Sequence, residues 1–374
     1  MISVGITGQP GFIGTHLFNL LGLDKENIRL VPFKDEYFNA PEQLNQFVSD
    51  CDCIVHLAAM NRHHEPQLIF ETNIGLVRQL INAMELTNSK PHVLFSSSTQ
   101  EERDNLYGKS KLEGRKLLEE WASRNNARFT GLIIPNVFGP FGRPYYNSVV
   151  ATFSHQLLHD EVPFIDVNGQ MKLIYVQELV SEIKNLIVNP TDEIVTTVKI
   201  KHTSESYVTE ILEQLAEYKK NYADQGIFPD LTNPFKRNLF NTFVCYQDIA
   251  SHYPVKLKLN TDQRGSFVET VKLSSGGQVS FSTTKPGITR GNHFHTRKSE
   301  RFAVIKGKAL IQLRKIGTSE VLNFELSGDE PAYVDMPVWY THNITNTGTD
   351  DLYTIFWISE FYNPEDPDTF FESV

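Results

Sequence analysis

At 374 residues the chain has room for two domains, or three, at roughly 100–200 residues apiece. A hydrophobic content of 40% with 21% charged residues belongs to a folded protein and excludes a disordered one. Lys and Arg total 35 against 45 Asp and Glu, a net charge of -10, so nucleic acid and anionic membrane are excluded as general partners and any bound phosphate must be held by local geometry. Three cysteines, Cys51, Cys53 and Cys245, cannot build a disulfide framework, and Cys-x-Cys without a second pair is no zinc knuckle. No apolar run is long enough for a membrane span, and no signal peptide precedes the first strand, so the expected location is cytoplasmic.

In chain order, Ile2–Thr7 reads as a buried strand, and Ile13, Leu17, Leu20 and Leu21 repeat at helical spacing. Further short apolar runs at Ile28–Phe33, Cys53–Ala58, Val93–Ser96 and Phe129–Ile134 alternate with helical stretches at Asn73–Met84 and Lys109–Ala122. Strand and helix in turn predict a doubly wound parallel sheet of Rossmann type, over residues 1–250. The stretch Gly226–Tyr253, with prolines and scattered aromatics, is the expected crossover. Beyond it, short runs at Gly277–Thr283, Arg301–Ile305, Ala309–Arg314, Val321–Leu326, Ala332–Asp335 and Tyr353–Ile358 are separated by turn signals. They predict a second, all-β domain, a small barrel over residues 251–374.

Between the first strand and first helix lies Thr7-Gly8-Gln9-Pro10-Gly11-Phe12-Ile13-Gly14. Gly8 allows a tight turn, Gly11 lets a pyrophosphate approach the backbone, and Gly14 lets helix and strand pack closely. The pyrophosphate would rest on the free N–H groups of the helix start. After the second strand, Lys34 suits a 2′-phosphate although Asp35 follows directly, and NADP is favoured over NAD.

Tyr107 and Lys111 are four residues apart, about 40° around a helix axis, and Ser96-Ser97-Ser98 ends a strand. A nearby ammonium lowers a phenol's pKa, and a serine hydroxyl can hydrogen-bond a ketone oxygen. The three groups therefore supply a proton and polarisation for hydride transfer to a carbonyl. Together with the glycine turn, His56-Leu57-Ala58-Ala59 and Pro135-Asn136-Val137-Phe138-Gly139-Pro140, these residues resemble the extended branch of the short-chain dehydrogenase/reductase family over about residues 1–250. The resemblance implies a sugar-nucleotide substrate and catalytic roles for Ser98, Tyr107 and Lys111. It places Thr7, Gly8, Gly11, Phe12, Ile13, Gly14, Lys34, Leu57 and Ala58 with Tyr107 and Lys111 on NADP(H). Asn136, Tyr146 and Asn147 are the candidates for the sugar nucleotide. Two features depart from the family pattern: only eight residues separate Ser98 from Tyr107, and Tyr175-Val176-Gln177-Glu178 lacks an aspartate after the valine.

In the second half, His293 and His295 project from one face of a strand, with Glu300 five residues on and His342 after a turn. Three imidazoles and a carboxylate suit zinc or another borderline divalent ion. Gly287, His293, His295, Glu300 and Gly307 keep the spacing of the first cupin motif, and Pro337, His342 and Asn346 that of the second, with Trp339 where glycine is usual. The second domain therefore resembles a cupin jelly-roll barrel. Asp262–Glu269 is similar to the opening strand of cupin epimerases acting on nucleotide-linked 4-keto-6-deoxy sugars.

The two chemistries share a ketone. Polarising it acidifies the adjacent C–H for epimerisation, and hydride delivered to the same carbonyl fixes the new configuration. In this order the halves resemble the bifunctional reductases of capsular polysaccharide synthesis, which join a short-chain reductase to a zinc cupin. That resemblance implies C3 epimerisation of UDP-2-acetamido-2,6-dideoxy-4-hexulose, then reduction at C4 by NADPH to UDP-2-acetamido-2,6-dideoxy-L-talose, towards UDP-N-acetyl-L-fucosamine. It also implies a homodimer. The C3 base stays open among Tyr340, Lys285 and Asp262. Two alternatives remain: a plain 4-keto sugar-nucleotide reductase with a structural barrel, and a nucleotide- or metal-sensing regulator, which would predict a damaged Ser98/Tyr107/Lys111 set.

Overall fold

Residues 1–263, 265–274 and 276–374 are described by a computed structural model, and they divide into two units. The first comprises Met1–Phe138, Gly142–Ser148 and Gly169–Ser206; the second comprises Gly139–Phe141, Val149–Asn168 and Tyr207–Val374.

The first unit is built on β1 (Ile2–Thr7), β2 (Ile28–Val31), β3 (Cys53–His56), β4 (His92–Ser98), β5 (Phe129–Ile134) and the strand Val195–Lys199. All pair in parallel, in the order β2-β1-β3-β4-β5 followed by Val195–Lys199. Every residue of β3 is buried, as expected where helices cover both faces. On one face Val4, Ile6 and Leu132 pack against Leu17 and Leu21 of helix Phe12–Gly22 and Leu179 and Ile183 of helix Val176–Val188. On the other, Ile54 and Phe95 meet Phe47, Val77, Leu80 and Trp121 from helices Pro41–Ser49, Pro66–Thr87 and Leu106–Asn125. This is the doubly wound sheet expected. Strand order reverses between β1 and β3, which places a ligand crevice beyond their carboxyl ends, where the glycine turn lies.

The second unit carries two five-stranded sheets. One runs Val255–Lys256, Ala332–Met336, Glu300–Lys306, Leu352–Ile358 and Gln278–Thr284; the other Val321–Ser327, Lys308–Lys315, Tyr340–Asn346, Thr289–Phe294 and Phe370–Phe371. Neighbours are antiparallel, and Ile311, Leu313, Phe324, Val334, Ile344 and Leu352 fill the space between the sheets, giving a cupin-like domain. Asn260–Asp262 and Gly265–Phe267 form a separate antiparallel hairpin; Arg264, within the segment likened to an epimerase opening strand, lies outside the described residues.

The expected crossover at Gly226–Tyr253 is instead packed structure. Helix Pro234–Val244 starts at Asn233, whose side chain accepts from the Lys236 amide, and seven consecutive residues, Asn238–Val244, are buried. Near it, the buried Arg301 guanidinium pairs with Asp335 at 2.6 and 2.8 Å and lies 3.6 Å over the Tyr333 ring, while the hydroxyl of Tyr222 donates to Asp335 at 2.7 Å. Removing one partner would leave the other charge buried and unpaired, and because Arg301 also donates to the Gly226 carbonyl at 2.9 Å this network ties Tyr222 and the start of that segment to the sheet. Among the described residues no helix is long and apolar enough to cross a membrane.

Candidate functional site

The first constellation gathers at the carboxyl ends of β1 and β3. Gly8 has φ 69°, and a Cβ there would stand 2.8 Å from the backbone of Ala58. Thr7 Oγ1 bonds His56 Nδ1 at 2.7 Å, and the Leu57 amide donates to the Thr7 carbonyl at 3.2 Å. Thr7, Gly8, Leu57 and Ala58 are thus one layer. Helix Phe12–Gly22 starts from Gly11 with no side-chain cap, so its first N–H groups remain for an anion. Gly14 is buried against the turn, whereas Phe12 and Ile13 are half-buried. Lys34, exposed, follows β2 at the start of the turn Asp35–Asn39.

The second constellation begins where Asn105 caps helix Leu106–Asn125 by accepting from the Gly108 amide at 2.7 Å. Lys111 is buried, its Nζ 3.5 Å from Ser96 Oγ and 5.8 Å from the centre of the Tyr107 ring. Ser98 lies on the same strand face as Ser96, and its Oγ accepts from the Gln100 amide at 3.2 Å. Ser97 points the other way and donates to Glu101, which pairs with Arg115 at 2.9 Å. The short Ser98–Tyr107 connection is closed by tight packing: a Cβ on Gly108 would fall 2.0 Å from the Gln100 carbonyl oxygen.

Electrostatically this pocket differs from expectation. Burial lowers the Lys111 ammonium to about 8, against a smaller opposing pull from Glu101. Tyr107 is not lowered; burial, helped by neighbouring Tyr146, raises it to about 12. Desolvation of a phenolate here outweighs an ammonium at this range. Tyr146 therefore joins Tyr107, whereas Asn136 and Asn147 are exposed and Asn136 donates to the Lys172 carbonyl at 3.3 Å. Sequence reasoning missed Asn73, buried on helix Pro66–Thr87. It bonds both the amide and carbonyl of Met60 and reaches Ser110 Oγ at 2.9 Å, fixing the loop after Ala58 to the helix of Tyr107. A polar residue inside the apolar stripe Ile69–Val77 was the available signal.

In the second unit the ligand atoms of His293, His295, Glu300 and His342 all lie within 4.8 Å of one another. Gly291 and Asn292, with φ 101° and 59°, make the bulge that sets His293 opposite His342. A side chain at Gly291 would meet the His342 carbonyl oxygen at 2.8 Å, so glycine is required there. His295 Nδ1 faces the Asp368 carbonyl at 2.5 Å and His342 Nδ1 the Tyr340 carbonyl at 3.3 Å, which turns both Nε2 atoms inward. Those atoms lie 3.3 and 3.2 Å from Glu300 Oε2, and all three are buried without a hydrogen-bond partner. Orphaned lone pairs aimed at one point fit a divalent cation. Burial, with the neighbouring imidazoles, lowers His293 to about 4, which keeps it neutral as a ligand must be. Trp339 has φ 63°, the conformation that explains glycine in the family pattern; its ring, stacked 5.4 Å from Phe294, is buried and holds it there. Of the three base candidates, Tyr340 shares a strand face with His342, while Lys285 is exposed and paired with Asp351 at 2.9 Å and Asp262 is exposed.

Residues 4–195 match the NAD dependent epimerase/dehydratase family, and residues 260–370 the polysaccharide biosynthesis C-terminal domain. The chain is 32% identical over its whole length to a UDP-2-acetamido-2,6-beta-L-arabino-hexul-4-ose reductase of Pseudomonas aeruginosa, covering 99% of that protein. It is 34% identical, at full coverage of both chains and a TM-score of 0.62, to the crystal structure of the capsular polysaccharide assembling protein CapF from Staphylococcus aureus. This is a CapF-type member of the NAD dependent epimerase/dehydratase family. As such it is an enzyme of the reductase/epimerase kind, and a nicotinamide is the cofactor of that family. In fold alone, the first part resembles RMD from Pseudomonas aeruginosa, solved with NADPH: 59% of this chain and 84% of that one are covered at a TM-score of 0.54 and 20% identity.

Proposed function

We propose that this CapF-type chain epimerises UDP-2-acetamido-2,6-dideoxy-4-hexulose at C3 in its C-terminal domain and reduces the C4 ketone with NADPH in its N-terminal one. The product is UDP-2-acetamido-2,6-dideoxy-L-talose, on the route to UDP-N-acetyl-L-fucosamine for capsule or O-antigen polysaccharide. The working enzyme is a cytoplasmic homodimer, with the domains at 1–250 and 251–374. The observation that carries this is the buried His/Glu cluster in a chain that matches a hexulose reductase from end to end, because reduction alone needs only the first domain.

Thr7–Gly14 would hold NADP(H), with Lys34 at its 2′-phosphate, and the bound cofactor would supply the hydride. Tyr107, kept protonated by its raised pKa, gives the proton that the new alcohol oxygen needs. The Gln100 amide occupies one lone pair of Ser98, leaving the serine proton free to point at the substrate oxygen. Lys111 steadies the charge that develops on Tyr107, while Tyr146, Asn147 and Asn136 hold the sugar nucleotide. His293, His295, Glu300 and His342 would hold a Zn2+ ion, which when bound would polarise the ketone and acidify the C3 proton. Tyr340, on the His342 face and held protonated because burial raises it to about 12, would return a proton to one face of C3 after a base on the opposite face has removed the original one.

The fourfold protein ligation also suits a structural zinc, which favours the plain reductase as second reading. Proton NMR of the UDP-linked 4-keto sugar in D2O, with enzyme and without NADPH, separates the two. Loss of the C3 signal, abolished by chelation or His295→Ala and kept by Tyr107→Phe, is the expected result. An unchanged C3 signal with zinc-loaded enzyme would leave only the reductase.

A further inference from the structure

Residues Thr296–Ser299 join two of the four candidate ligands, His295 and Glu300, so the shape of this short loop sets how those ligands stand to each other. The loop is held from outside, by a residue far along the sequence, 70 positions beyond Lys298. Asp368, 4% exposed, accepts from the amides of Thr296, Arg297 and Lys298, each at 3.0 Å, and from the Thr296 hydroxyl at 2.6 Å. Its own carbonyl oxygen lies 2.5 Å from His295 Nδ1. Just before it, the Pro367 carbonyl accepts from the buried Lys298 ammonium at 2.6 Å. Just after it, Phe370–Phe371 pairs with His293 and Phe294 as an added strand.

We propose that Asp368 is a positioning residue for the metal centre, acting on two ligands at once. The inference rests on the reading that the four-residue cluster binds a divalent metal. A carbonyl oxygen only accepts, so the contact from Asp368 assigns the His295 proton to Nδ1 and leaves the Nε2 lone pair directed at Glu300 and His342. The carboxylate acts separately, through the four converging N–H and O–H groups that fix the loop and with it the approach of Glu300 Oε2 to His295 Nε2. Asp368 adopts φ 41°, a conformation uncommon outside glycine, asparagine and aspartate, which suits a residue held by its surroundings on both main chain and side chain. Outer residues that orient a histidine ligand typically change metal affinity about 10–100-fold when replaced.

The test uses the full-length chain stripped of metal and titrated with zinc against a chromophoric chelator, with cobalt absorption as a second readout of ligand geometry. Asp368→Asn keeps the carbonyl and one side-chain acceptor while losing the carboxylate, and is expected to weaken zinc about tenfold. Asp368→Ala is expected to weaken it about a hundredfold and to alter the cobalt spectrum. Circular dichroism checks folding; if Asp368→Ala does not fold, Asp368→Asn decides. Zinc affinity within twofold of the parent in a folded variant, even with a lower melting temperature, overturns the proposal. A parent chain that binds no zinc overturns the metal reading and this inference together. Zinc binding that depends on Asp368 without C3 proton exchange upholds the inference and removes only the epimerase function.

Discussion

Gly11 and Gly14 occupy one turn, yet the structure predicts opposite consequences for alanine at each. A Cβ on Gly14 would sit 2.4 Å from the Gly8 carbonyl oxygen and 2.8 Å from Cα and O of Gln9. All of these are backbone atoms, so no side chain can swing away, and restoring a 3.4 Å contact needs the helix start to retreat by about 1 Å. Overpacking of this kind costs about 1–3 kcal/mol, here at the upper end, which for a domain of this size lowers the melting temperature by about 5–10 °C. At Gly11 the only near atom is the Gly8 oxygen at 3.1 Å, and φ -71°, ψ 172° is open to any residue. Gly11→Ala should therefore melt within about 2 °C of the parent. Its methyl group, however, stands where the pyrophosphate must approach, and NADPH should bind at least about tenfold more weakly. Thermal unfolding without cofactor and NADPH fluorescence titration measure the two effects separately. Equal losses of melting temperature, or parent-like NADPH affinity in Gly11→Ala, would refute the assignment of steric roles in the turn.

Lys111 yields a pH test. Its folded pKa, about 8, lies below the ordinary lysine value of 10.5, so from pH 8 to 10.5 the unfolded chain binds the extra proton and stability rises with pH through this group. Relative to Lys111→Met, the parent should gain stability across that window in urea melts at stepped pH, and a difference that stays flat or moves the other way rejects the buried ammonium. The two serines can be separated by kinetics: Ser98→Ala should lower kcat about 100-fold with little change in KM. Ser97→Ala, which only frees Glu101, should stay within about threefold of the parent while melting earlier; the reverse ranking would move the catalytic hydroxyl to Ser97.

Why some of this was readable from residues and some was not follows from the range of each interaction. The glycine turn, the Tyr107–Lys111 spacing and the His293/His295/Glu300 set are local patterns, and a repeat of 2 or about 4 residues places side chains on one face before any tertiary contact forms. Helix Pro234–Val244 escaped because its burial does not follow polarity: Asn238, Asn241 and Thr242 are enclosed along with Leu239, Phe240, Phe243 and Val244, so an apolar pattern alone does not mark the buried side. Its Asn233-Pro234 start was the one usable cue. Asp368 escaped for another reason, since an aspartate in the loop before Phe370–Phe371 has no period at all, and its meaning comes from groups brought to it by residues 295–298. The Tyr107 pKa failed for a third reason. Spacing along a helix established that an ammonium was near, but the sign of a shift depends on whether charge attraction exceeds desolvation, and desolvation is set by the walls of the pocket. The Ser98 assignment sits between these cases. Sequence placed three serines at a strand end and the family resemblance pointed to Ser98; the pleat turns Ser97 to Glu101, while Ser96, on the Ser98 face, donates to the His56 carbonyl at 3.1 Å, a distinction that only the folded strand supplies.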